Sequence, residues 1–75
     1  MRTAALNDRV VLLEAAGEMR RGERFEQVLG RVARRHGGTY ADYVRLIGRV
    51  REVAGRKKLT LAQAARAVAY GLPAD

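Results

Sequence analysis

Read from its N-terminus, the chain places apolar residues at helical spacing in four segments, and none of them shows the sustained alternation of a strand. The first segment runs from Ala4 or Asp8 to Arg21, with Thr3 and Asn7 both able to cap it. Leu6, Val10, Leu13 and Gly17 form one stripe along it. Leu12, Ala16 and Met19 form a second, and Val11 widens the apolar surface further. A surface helix needs only one such stripe, so this helix is expected to be either central to the bundle or buried twice, once in its own chain and once in a partner. Gly22 ends it. The second segment, Glu23 to His36, turns Phe25, Val28, Leu29 and Val32 inward. Glu23 and Glu26 in its first turn and Arg34 and Arg35 in its last suit the helix dipole, and Gly37 supplies the left-handed residue beyond it.

The third segment has the clearest start. Thr39-Tyr40-Ala41-Asp42 has the spacing of a capping box, with Asp where Glu or Gln is usual. Tyr40, Tyr43, Val44, Ile47, Val50 and Ala54 are the expected buried face, and Gly55 the expected end. A second capping box, Thr60-Leu61-Ala62-Gln63, opens the fourth segment, with Leu59 and Ala64 as a weak hydrophobic staple. This helix is rich in Ala64, Ala65, Ala67 and Ala69, and Gly71 and Pro73 stop it. The connections are a few residues long, so neighbouring helices must fold back on one another. The pattern predicts an all-α, four-helix domain over residues 1–75, with no repeat and no linker.

Charge changes the picture more than composition does. The chain carries 13 Arg and 2 Lys against 8 acids, a net charge of +7. The span Arg20 to His36 holds +4 and Arg45 to Lys58 holds +5, while the remainder is slightly acidic. Self-repulsion of this kind points to a polyanionic partner. Arg matches phosphate with a planar fork. GC-rich coding also favours Arg over Lys, but it does not account for the excess of cations over anions. On the third helix Arg45, Arg49 and Arg56 recur at spacings of four and seven, and Lys57 and Lys58 continue the stripe. A solvated face is the bland alternative, neutralised in part by Glu52 with Arg49 and Arg56.

Helices two and three, joined by His36-Gly37-Gly38-Thr39, have the spacing of a helix-turn-helix. Helix three would then enter the major groove with Thr39, Asp42, Arg45 and Arg49 outward. Arg would read guanine and Asp42 would accept from cytosine. The stretch from Arg49-Val50-Arg51-Glu52-Val53 through Leu59-Thr60-Leu61-Ala62-Gln63-Ala64-Ala65 resembles the first two helices of phage-repressor-type regulators, over about a third of the chain. That family's recognition helix would follow Gly71-Leu72-Pro73. Its base-reading residues have no counterparts here, and none is carried over.

Catalytic and metal chemistry find little support. There is one His and no Cys, so thiolate metal sites and disulfides are excluded and a reducing, cytoplasmic setting is expected. Glu14 and Glu18 lie one turn apart, an arrangement far more often surface than catalytic, and His36 suits a helix C-terminus better than a proton-transfer site. The longest strictly apolar run, Val10–Leu13, is far too short to span a membrane. The sequence therefore predicts a non-enzymatic, cofactor-free nucleic-acid-binding protein, a DNA-binding transcriptional regulator of phage or plasmid type. Its phosphate contacts are expected from Arg31, Arg34, Arg35, Arg45, Arg49, Arg56, Lys57 and Lys58. Two readings stand beside it: a helical module (inhibitor, antitoxin or assembly factor) that binds an acidic protein, and an RNA- or ribosome-associated protein. Because a small chain has little interior of its own, a homodimer is expected through Leu6, Val10, Val11, Leu12, Leu13 and Met19.

Overall fold

The structure, a computed structural model, describes residues 6–72. The expected cap at Thr3, the start at Ala4 and the stop at Pro73 lie outside the described residues. Four helices account for the described fold, α1 (Asp8–Glu18), α2 (Phe25–Arg35), α3 (Tyr40–Lys57) and α4 (Leu61–Tyr70), with no strand among the described residues. Each helix packs against its neighbours in the chain, and α1 against α4, which closes the four into a ring.

Local chemistry sets the helix starts. Asn7 accepts a hydrogen bond from the Val10 N–H at 3.1 Å and opens α1. Both expected capping boxes form. Thr39 accepts from the Asp42 N–H at 3.2 Å while Asp42 accepts from the Thr39 N–H at 2.9 Å. Thr60 and Gln63 exchange the same pair at 3.1 and 3.0 Å. Each box satisfies two donors that a bare helix start would leave unpaired. Between α2 and α3 the backbone turns at Gly37, whose φ of +82° is costly for any residue with a Cβ. A Cβ on Gly38 would stand 2.9 Å from the Ala33 carbonyl oxygen, the same oxygen that accepts the Gly38 N–H at 2.8 Å. Glycine is required there by the turn itself.

The helix ends depart from expectation at two places. α1 stops at Glu18 rather than Arg21, because Met19 is already extended (ψ 127°) and Gly22 lies in the turn that follows. Gly55 does not close α3. The helix continues to Lys57, and Lys58 takes the left-handed conformation at φ 56°, ψ 50°. The Lys58 and Leu59 N–H groups both donate to the Ala54 carbonyl, so the last turn is capped despite having no glycine there.

The core is wholly apolar: no polar or charged residue is buried among the described residues. Its large members are Val11 and Leu12 from α1, Phe25, Val28, Leu29 and Val32 from α2, and Leu46, Ile47 and Val50 from α3. From α4 it receives three alanines, Ala64, Ala65 and Ala69, each fully buried. Small side chains let that helix lie close to α1 and α3.

The buried face of α1 is narrower than the sequence suggests. Val11, Leu12, Ala15 and Ala16 are buried, whereas Val10 and Met19 are exposed. On α3 the inward face is also rotated from the expected one. Leu46 and Val53 join it, Tyr43 is half-buried, Val44 is exposed and Tyr40 is 79% exposed. One position in α2 is unexplained by packing. A Cβ on Gly30 would meet only the Tyr43 ring, at 3.7 and 3.8 Å, which is ordinary contact, yet glycine inside a helix costs about 1 kcal/mol relative to alanine.

Candidate nucleic-acid interface

Folding sorts the cations into two groups by giving most of the acids a partner. Six of the seven acids among the described residues form ion pairs; Glu52 forms none. The densest set lies between α1 and α2. Arg35 Nη1 donates to Glu14 and, at 2.8 Å, to Glu18; Arg31 bridges Glu18 at 3.2 Å and Glu23 at 3.3 Å. The His36 ring lies 2.9 Å from the second Glu14 oxygen. These contacts hold Glu18 down to about 2, chiefly through Arg35 and then Arg31. Glu14 is lowered first by His36 and then by Arg35. Glu23 is lowered first by the Arg20 backbone N–H and then by Arg31.

Two further pairs tie α3 to the rest of the fold. Arg45 forks onto Asp8 at 2.7 and 3.1 Å and reaches Asp42 at 3.4 Å. Arg51 reaches Glu26 at 3.1 Å. All of these pairs keep part of their surface in water, which screens them, so each stabilises the fold only weakly.

Of the eight residues expected to contact phosphate, three are thus engaged inside the fold: Arg31, Arg35 and Arg45. The other five, Arg34, Arg49, Arg56, Lys57 and Lys58, are exposed and have no carboxylate within ion-pair distance among the described residues. The pairs expected between Glu52 and its neighbours Arg49 and Arg56 do not form. Of the four residues expected outward to read bases, Thr39 and Asp42 close the capping box and Arg45 holds Asp8, while Arg49 alone is exposed with no carboxylate partner among the described residues.

Three of the unpaired cations converge. Arg49, Arg56 and Lys57 line a groove of about 150 Å³ between α3 and the end of α4, together with Val53, Ala67, Val68, Gly71 and Leu72. The last turn of α4 has no basic residue of its own and presents its carbonyl end there. That end carries roughly half a negative charge. Three cations outweigh it, so the groove remains positive. The sequence did not mark α4 as part of this surface, because Ala67, Val68 and Leu72 carry no chemistry that would single them out.

Of the six residues expected at a dimer interface, Val11 and Leu12 have no exposed area within a single chain and so offer none to a second copy. Leu6 and Leu13 are half-buried against the core, which leaves Val10 and Met19 exposed. Among the described residues no helix is long and apolar enough to cross a membrane, and no group of three or more His, Asp or Glu is placed to hold a metal ion. The class that fold and surface define is a small four-helix domain with an apolar core and a one-sided cationic groove. No family model, curated protein or solved structure matches the chain.

Proposed function

We propose that this chain binds nucleic acid, DNA foremost, through the phosphate backbone, as a small DNA-binding regulator would. Arg49, Arg56 and Lys57 form the centre of the contact surface, with Lys58 at its margin. The observation that carries the reading is the sorting of charge: among the described residues the fold employs six of seven carboxylates on other cations and leaves these four close together with no carboxylate partner. Arg49 and Arg56 are seven residues apart on one helix, about 10 Å along its axis. Over that length one strand of a duplex presents about three phosphates. Base reading by the start of α3 is not part of the proposal, because its polar residues are tied into the fold.

The test is anisotropy of a labelled random-sequence duplex across a salt series. Four phosphate contacts give log affinity a slope of about −3 to −4 against log salt. Absence of binding at low salt, or binding indifferent to salt, would reject the proposal. Tighter binding to an acidic polypeptide than to DNA at matched salt would favour a protein partner.

A further inference from the structure

A second recess lies on the other flank of α3. It encloses about 190 Å³ between the C-terminal half of α2 and the start of α3, and its lining includes Gly30, Ala33, Arg34, Gly38, Tyr40 and Tyr43. Its floor is formed by Ala33, which is buried, and Gly38, which is partly buried. Its aromatic wall is the Tyr40–Tyr43 pair, with ring centroids 5.9 Å apart and tilted by 33°. Its rim is Arg34, which has no carboxylate partner among the described residues. The volume is below the range of pockets for drug-sized ligands and suits a single planar ring.

We infer that this recess takes an unpaired nucleobase, stacked against Tyr40, with Arg34 on the adjoining phosphate. The inference rests on the nucleic-acid reading above and deepens it: the bound species has at least one unpaired nucleotide, as a single strand does. Three observations support it. Tyr40 stands 79% exposed, more than any other large hydrophobic residue described, and meets the Tyr43 ring at a tilt of 33°. Aromatic faces of this kind accept bases of any sequence. Gly30 carries no side chain although packing does not demand its absence, and a methyl there would project onto the Tyr43 ring and into the recess. The path from the recess to the cationic groove crosses the outer face of α3. Tyr40 and Arg49 are nine residues apart, about 14 Å along the axis, and Gly48 between them has open space where a side chain would stand.

The test compares a labelled oligothymidylate with a blunt duplex of the same length, in the same salt. The wild type should bind the single strand more tightly. Tyr40→Ala should weaken single-strand binding at least about fivefold, the lower end of what one stacked base contributes, and leave duplex binding unchanged. Tyr40→Phe should retain binding. Gly30→Ala should lose the single-strand preference while its melting temperature stays level or rises, which separates blocking of the recess from damage to the fold. The chain has no Trp, so Tyr40→Trp provides a reporter whose emission should be quenched in the saturated single-strand complex. Equal affinity for both probes, indifference to Tyr40→Ala, or an unquenched Trp would overturn the base recess. If Arg49→Ala with Arg56→Ala still weakened both probes, the phosphate surface would stand without it. Binding to neither probe would overturn both.

Discussion

Arg35 and the pair Arg49/Arg56 carry the same kind of charge on neighbouring helices, and the structure predicts opposite consequences for their removal. Arg49→Ala/Arg56→Ala takes away two exposed guanidinium groups that hold no carboxylate among the described residues. If each meets one phosphate, the slope of log affinity against log salt should become less negative by about 1.8. Between 50 and 200 mM salt that difference compounds to about tenfold: the variant falls far behind the wild type at low salt and closes about a tenfold part of the gap at high salt. Its thermal stability should hardly change, because nothing in the fold rests on either side chain. Arg35→Ala removes the group that holds both Glu14 and Glu18. It should leave the salt slope within experimental error of the wild type and lower the melting temperature. Anisotropy across a salt series and a thermal melt read both quantities. A slope flattened as much by Arg35→Ala as by Arg49→Ala/Arg56→Ala would refute the sorting of cations into structural and contacting sets. So would a double variant whose slope is unchanged.

Three other outcomes follow from the fold. Lys58→Gly should stabilise the chain by about 1 kcal/mol by removing a side chain from the left-handed position, a rise of about 4–8 °C in a domain of this size, read by circular dichroism; an unchanged or lower melting temperature would show that the cap carries no strain. Leu12→Asp should abolish the helical signal at every protein concentration, since Leu12 is fully buried within one chain, whereas a folded product at half the original mass would place Leu12 in an interface instead. Acid should unfold the protein: Glu14, Glu18, Glu23 and Glu26 are all lowered from 4.5, so the stability they contribute is complete above that value and is lost as pH falls towards about 2, where Glu18 titrates. Urea midpoints followed with pH check this, and Glu18→Gln should make the decline shallower.

The features legible in the sequence were those set by residues a few positions apart. The capping boxes at Thr39 and Thr60, the left-handed Gly37 and the inward row Phe25, Val28, Leu29 and Val32 all depend on neighbours within one or two turns. Four things were out of reach for the opposite reason. Asp8 and Arg45 are 37 residues apart and Glu14 and Arg35 are 21 apart, so no local pattern says which arginines the acids will hold. The apolar excess of the first helix suggested a second interface. Val11 and Leu12 in fact share the core with Ala15 and Ala16, and only the packing of α2 and α4 around them makes that face sufficient. Tyr40, read by spacing as core, sits at the first helical position after its cap, where the ring lies at the edge of the interhelical contact. Gly55 was expected to break α3, but it lies on the solvent side, where its absent side chain costs only intrinsic helix propensity and the turn can form three residues later at Lys58.

The alanines of α4 have a consequence for motion. A buried leucine gives up rotamer freedom when a helix docks; alanine has none to give up. Ala64, Ala65 and Ala69 therefore let α4 seat itself without freezing any of their side-chain torsions, and those three positions have no rotamers with which to follow a shift; only the flanking Leu61, Val68 and Leu72 do. The cationic groove, which α3 shares with the end of α4, is present only while α4 is docked, so whatever loosens that helix opens the groove as well.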